Sequence, residues 1–256
     1  MGILNVTPDS FSDGGQHFSV DTAIARGLAM MEEGADLIDV GGESTRPGAE
    51  PVSLEEELRR TIPVVLALAK EGVSVSIDTM KPVVAEEALV AGAFMINDVS
   101  GLRDSAMLQL VRKEQPTVCI MHMLGEPRTM QVDPVYADVV EEIKSYLLGR
   151  AQELDLDKEK IWLDPGIGFG KTVDHNLTLI RNLEQLVQAG YPVLVGVSRK
   201  GFIGKVLGAD SPDDRLEGTL AAQVLAQIKG ARVIRAHDIR AASRAMSMTA
   251  AIVNGF

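Results

Sequence analysis

The chain carries one cysteine, Cys119, among 256 residues. One cysteine cannot close an internal disulfide, which excludes a disulfide-stapled secreted scaffold and suits a reducing cytoplasm. Its run, Thr117-Val118-Cys119-Ile120-Met121, is mostly apolar, so a buried structural thiol is expected before a reactive one. No apolar run approaches the ~18 residues that span a bilayer. The start, Met1-Gly2-Ile3-Leu4-Asn5, has no charged leader and no long apolar stretch, so no signal peptide is expected. Cations are in deficit: 25 Lys and Arg stand against 36 Asp and Glu, a net charge of -11. That argues against nonspecific nucleic-acid binding, which needs cations facing phosphates. It leaves room for a small anion, because clustered cations can dominate a cleft. The expected partners are therefore small molecules, not nucleic acid or membrane.

What the chain does have is apolar content, 46%, and an ordinary charged share, 24%. Short apolar runs fall at residues 2–6, 37–40, 73–77, 94–96, 117–121, 161–163, 193–197 and 233–236. They are continuous, as in strands buried on both faces of a parallel sheet. Longer amphipathic segments separate them. Ile24, Leu28 and Met31 share a helical face, with Gly34 as a stop. Ser53 and Glu56 have capping-box spacing, and Pro63 is expected to kink the helix that follows or shift its start. Ile180, Leu183 and Val187 continue one stripe to Gly190, and Asp238 is placed to cap a last helix ending near Val253. Eight strand-helix units predict an α/β fold, a (β/α)8 TIM barrel of the usual ~250 residues with a short first strand and no N-terminal hairpin. Strand counting alone leaves an open doubly wound sheet as the alternative. Residues 1–256 read as one domain. The segments 7–18 and 124–134 are long for such loops, which marks them as functional candidates.

Active sites of such barrels lie at the C-terminal ends of the strands. The runs end in or near Asn5, Asp39, Asp78, Asn97-Asp98, His122, Asp164, Ser198-Arg199-Lys200 and Arg235-Ala236-His237. Helix capping explains any single Asp, Asn or Ser there. It does not explain Arg46, Lys200, Arg235 and His237 on the same rim, because cations are disfavoured at helix N-termini. Gathered in an acidic chain, they point to an anion site, most simply phosphate. Asp78, Asn97 and Asp164 supply acceptors and one mixed donor-acceptor, a set suited to a flat heterocycle bearing N–H groups.

Other motifs fail on inspection. Gly170-Lys171-Thr172 resembles the end of a phosphate loop, but Pro165 occupies its first glycine position. Gly166-Ile167-Gly168 lacks the remaining dinucleotide spacing, and Lys200 stands where a nucleophile elbow needs glycine. His17, His122, His175 and His237 have no zinc-like spacing. His175 reads as a solvated helix residue.

The segments Asn5-Val6-Thr7-Pro8-Asp9-Ser10-Phe11-Ser12-Asp13-Gly14-Gly15 and Gly41-Gly42-Glu43-Ser44-Thr45-Arg46-Pro47-Gly48 resemble the first two signatures of the dihydropteroate synthases. Asp78-Thr79, Ile96-Asn97-Asp98, Met121-His122-Met123, Asp164-Pro165-Gly166-Ile167-Gly168-Phe169, Ser198-Arg199-Lys200 and Arg235-Ala236-His237-Asp238 resemble the rest, in the family's order. The resemblance runs along the whole chain.

It implies condensation of 6-hydroxymethyl-7,8-dihydropterin pyrophosphate with 4-aminobenzoate, accompanied by Mg²⁺, in folate biosynthesis. It also implies sulfonamide competition, a homodimer through the last helices and a cytoplasmic setting. The implied pterin residues are Asp78, Asn97, Asp164, Lys200, Met121 and Phe169. Asn5, Arg46, Arg235 and His237 would hold the pyrophosphate, with Asn5 also on the metal. Phe11, Thr45, Pro47, Ser198 and Lys200 would hold the aminobenzoate. Asp78, Lys200, Asn5, Arg235 and His237 are the expected catalytic set. Loops 7–18 and 42–51 are the expected lids, freed by Gly14, Gly15 and Gly48. The rivals are a methyltetrahydrofolate:corrinoid methyltransferase, which needs no pyrophosphate cluster, and a noncatalytic pterin-binding homologue.

Overall fold

The computed structural model describes residues 1–7, 20–44, 49–126 and 129–255. Strands and helices alternate: β1 Gly2–Asn5, α1 Val20–Glu32, β2 Ile38–Gly41, α2 Leu54–Lys70, β3 Val75–Asp78, α3 Pro82–Val90, β4 Met95–Asp98 and α4 Ser105–Glu114. The second half continues with β5 Thr117–Met121, α5 Val139–Gln152, β6 Ile161–Asp164, α6 Val173–Arg181, α7 Glu184–Val187, β7 Leu194–Val195, α8 Gly201–Leu207, α9 Leu216–Ile228, β8 Val233–Ile234 and α10 Ile239–Asn254.

The strands β1 to β6 pair in chain order, all parallel, and β7 pairs with β8. Single parallel bridges join Leu163 to Val193 and Gly2 to Ala236. At the second junction Ile3 N donates to Ala236 O and Ala236 N to Met1 O, each at 3.0 Å. Those links close the ring, so the open-sheet alternative is set aside and the expected barrel stands.

Alternation along each strand divides the core in two. Outward residues such as Ile38, Val40, Val75, Ile77, Val118 and Leu163 belong to the large cluster shared with the helices. Inward at the barrel floor, Met1, Leu37, Met95, Cys119 and Leu194 form a separate apolar cluster, with Trp162 and Val233 beside it. Cys119 is buried and unpaired, as its apolar run implied.

Several local expectations need correction. Pro63 lies inside α2 and does not shift its start, which is at Leu54 with Ser53 Oγ capping Glu56 N at 3.2 Å. The reciprocal half of that box is missing, because Glu56 holds Arg59 and Arg60 instead. The stripe from Ile180 to Val187 is two helices, α6 and α7, broken at Asn182 and Leu183. Asp238 precedes α10 but makes no side-chain cap; its carboxylate is taken by Arg199. His175 is not simply solvated. It completes a capping box with Thr172 and packs edge-on against Tyr136, centroids 5.0 Å apart.

Candidate active site

The strand register sets the upper layer of the barrel. Asp78 pairs with Asn97, and Met121 with Asp164, on adjacent strands. Each is the inward residue at its strand's C-terminal end, two positions above a floor residue on β4 and β5. Where the floor is apolar, this layer is polar.

Arg235, just after β8, organises the layer. Its Nε donates to Asp39 Oδ2 at 2.6 Å and its Nη2 to Asp78 Oδ2 at 2.7 Å. Asn97 Nδ2 donates to the same Asp39 oxygen at 2.9 Å. Asp39 is 0% exposed, and its Oδ1 has no partner among the described residues. Burial disfavours the charge on Arg235, but Asp39 and Asp78 together hold its pKa above the usual value. Burial pushes Asp78 up to about 7 against the opposing pull of Arg235, with Asp39 adding to the rise. Two carboxylates share one guanidinium, so the layer has spare acceptor capacity.

Asp164 is likewise raised by burial, while Gly166 N donates to its Oδ1 at 2.7 Å and Lys200 opposes the shift. Lys200 Nζ donates to Ile167 O at 2.6 Å and stands 4.0 Å above the Phe169 ring centroid, within cation–π range. Burial lowers Lys200 to about 8 despite Asp164. Met121, Met123, Met130 and Val99 form an apolar shelf, with Met80 and Phe169 packed on it. Two of those residues come from the long 124–134 segment or its edge. On the other side, Ser198 Oγ accepts from His237 N at 3.1 Å and lies 3.0 Å from His237 Nδ1.

Above this layer opens a cavity of about 610 Å³ lined by Asn5, Asp78, Phe169, Lys200, Arg235 and His237 among others. Asn97, Asp164 and Met121 are buried outside that lining, at 4%, 7% and 2% exposure, but adjoin it through the Asp39–Arg235 pair, Lys200 and Phe169. The structure thus brings together every described residue of the expected set. Phe11, Thr45, Arg46, Pro47, Gly14, Gly15 and Gly48 lie outside the described residues.

Two residues of the site were missed by sequence reasoning, and one nearby cation departs from it. Asp39 was noted beside its run but given no role; its signal was a charged residue inside an apolar strand. Lys171 was set aside with a failed motif, yet it is 3% exposed and hydrogen-bonded to His122 and Phe169. Arg199, adjacent to two site residues, turns the other way: it adopts φ +58° and pairs with Asp238 and Asp213.

A barrel whose mouth pairs buried acceptors with cations beside an apolar shelf defines an enzyme-like site for a flat heterocycle bearing N–H groups. The model of the family described as pterin binding enzyme matches residues 1–237. Dihydropteroate synthase of Escherichia coli strain K12 is 46% identical over 258 residues, covering 99% of this chain and 91% of that protein. The Xanthomonas albilineans dihydropteroate synthase solved with 4-aminobenzoic acid has a TM-score of 0.91 and 46% identity, covering 98% of this chain and 91% of that one. The Yersinia pestis enzyme in a sulfonamide drug complex has a TM-score of 0.93 and 43% identity, covering 100% and 93%. The chain belongs to the pterin-binding enzymes, and within them to the dihydropteroate synthases. Its activity is that of a transferase in folate biosynthesis.

Proposed function

We propose that the polar upper layer binds 6-hydroxymethyl-7,8-dihydropterin pyrophosphate and that the rim cations receive its leaving group. The observation that carries this is the buried, acceptor-rich set Asp39, Asp78 and Asp164, with Asn97, beside the buried cations Lys200 and Arg235, while the third buried cation there among the described residues, Lys171, spends its donors on His122 and Phe169. Such a set is short of donors. The aminopyrimidinone edge of a pterin supplies N–H groups, and Asp164 and Asn97 take them. Lys200 donates to a ring nitrogen or carbonyl. Met121 and Phe169 face the flat ring.

The methylene carbon–oxygen bond breaks first, its electron pair leaving on pyrophosphate. Arg46, Arg235 and His237 stabilise that departing charge. The carbon left behind is cationic in character, and the electron-rich dihydropterin and the carboxylate of Asp78 stabilise it. The amine of 4-aminobenzoate then forms the carbon–nitrogen bond and gives up a proton to solvent. Phe11, Thr45, Pro47, Ser198 and Lys200 form the aminobenzoate subsite in this reading, and closure of loops 7–18 and 42–51 excludes competing water.

Among the described residues no three carboxylates, histidines or cysteines gather as a metal cage. Mg²⁺ is commonly held by one or two protein oxygens plus substrate phosphate oxygens, and Asn5 at the mouth fits that donor set. When bound, the ion neutralises pyrophosphate charge. A homodimer through α9 and α10 is supported by exposed Leu225, Ile228, Met248, Ile252 and Val253. No helix among the described residues is long and apolar enough to cross a membrane, and the buried free thiol suits the cytoplasm. The whole of 1–256 is read as one domain.

The test is incubation with the pterin pyrophosphate, 4-aminobenzoate and Mg²⁺. Dihydropteroate and pyrophosphate should appear in equal amounts. Pterin binding without either product contradicts the reading. In the same assay Phe11→Ala should raise KM for 4-aminobenzoate far more than that for the pterin; two unchanged constants would remove Phe11 from the subsite.

A further inference from the structure

The loop between β6 and α6 carries much of the pterin pocket. Gly166 N holds Asp164, Ile167 O holds Lys200, and Phe169 lies under the Lys200 ammonium. Its backbone is pressed against the end of β5. Gly166 has φ +66°, and a Cβ there would stand 1.9 Å from His122 O, so only glycine permits the approach. Gly168 and Gly170 are also left-handed, at φ +83° and +64°. Such a loop has little intrinsic preference for one shape and needs an external tie.

Lys171 supplies one. Its Nζ donates to Phe169 O at 2.8 Å and to His122 O at 3.2 Å, and lies 3.1 Å from His122 Nδ1. Three N–H donors meet three acceptors, so the ammonium is fully used. The His122 ring is itself fixed edge-on by Tyr146, centroids 5.0 Å apart and planes at 88°. Burial lowers His122 to about 3, with Lys171 adding to the fall, which keeps the ring neutral and its Nδ1 able to accept. Burial also lowers Lys171 to about 7, against Asp164 and with Lys200.

We propose that Lys171 is a positioning residue for pterin binding: its ammonium fastens the 166–169 backbone to His122, and so fixes Asp164, Lys200 and Phe169 relative to β5. It touches no reacting atom. The proposal rests on the pterin reading of the pocket.

The test uses the full chain and two variants. Lys171→Met removes the donors and keeps the bulk. Asp138→Ala removes the cap of α5, where Asp138 accepts from Val140 N and Glu141 N, and serves as a control for general destabilisation. Calorimetry with the pterin pyrophosphate should show Kd raised tenfold or more in Lys171→Met and changed less than twofold in the control. A change below twofold in folded Lys171→Met overturns the proposal. Failure of the wild-type protein to bind the pterin would instead overturn the pocket reading. Nitrogen-15 NMR of the wild-type imidazoles covers a variant that does not fold. His122 should be the neutral Nε2–H tautomer at pH 5.5, where Lys171 is charged, with Nδ1 as acceptor; an imidazolium or the Nδ1–H tautomer there overturns the tie.

Discussion

The barrel interior holds two layers built by the same strands in the same inward direction. Met95 and Asn97 are two residues apart on β4, as are Cys119 and Met121 on β5. At the floor the inward set is Met1, Leu37, Met95, Cys119 and Leu194. One step up it is Asp39, Asp78, Asn97, Asp164 and Arg235, joined by Lys200 from its loop. The floor gains from burial and close packing. The upper layer loses by burial, as the raised Asp78 and Asp164 and the lowered Lys200 record. Stability and binding are thus separated by one pleat of the strand, and substitutions in the two layers should fail in different ways.

The largest effect is expected at Arg235. Arg235→Leu leaves Asp39 and Asp78 buried without their shared cation. Removing one partner of a buried pair costs about 3–5 kcal/mol, and turnover should vanish with it. Urea unfolding near wild-type stability would show that the guanidinium does not hold the layer together. At the floor, Met95 is 0% exposed, and Met95→Ala should cost roughly 2–5 kcal/mol in the same experiment. Both Michaelis constants should stay close to wild type, since no substrate group is placed there.

Asp78→Asn sharpens the comparison through pH. The folded protein holds this proton up to about pH 7 because of burial, whereas an unfolded Asp releases it near pH 4. The unfolded state therefore binds fewer protons in that window, and the contribution of Asp78 to stability falls as pH rises from about 4 through 7. Asp78→Asn removes that slope. Its urea stability relative to wild type should improve between pH 5 and pH 8, by on the order of 1–3 kcal/mol, while turnover collapses. A relative stability independent of pH would show that Asp78 is not strained by its burial. The smallest effect belongs to Ser198→Ala, which frees His237 from its hydroxyl partner. A loss of about 1 kcal/mol in stability is expected, with a rise in KM for 4-aminobenzoate as the kinetic signature.

Much of this was legible in the chain itself. Continuous apolar runs alternating with amphipathic segments suit strands buried on both faces of a parallel sheet, so the eight strand-helix units followed from pattern, whereas closure into a barrel shows only in the Gly2–Ala236 and Leu163–Val193 bridges. The polar residues ending those runs followed from barrel geometry. Other features depend on contacts between distant segments. Asp39 sits within an apolar strand, and only its pairing with Arg235, 196 residues away, shows why a buried strand tolerates it. Lys171 was discounted with the phosphate-loop spacing; its partners are a histidine just past β5 and the carbonyl of Phe169, in a loop with left-handed glycines. Arg199 and Lys200 are adjacent cations with opposite fates: Arg199, at φ +58°, pairs with Asp213 and Asp238, and Lys200 reaches Ile167 O. Asp238 has the sequence of a cap but is drawn off by Arg199, a competition that local propensity does not contain.

The contrast between layers comes to a single titration. Calorimetry at pH 7.5 with 6-hydroxymethyl-7,8-dihydropterin pyrophosphate should be run on the wild-type protein, Asp164→Ala and Met95→Ala. Losing a charged hydrogen-bond partner costs roughly 2–5 kcal/mol, so Asp164→Ala should bind at least about thirtyfold more weakly, while folded Met95→Ala binds as wild type does. Unchanged affinity in Asp164→Ala, or a comparable loss in Met95→Ala, would contradict the assignment of the pterin to the upper layer.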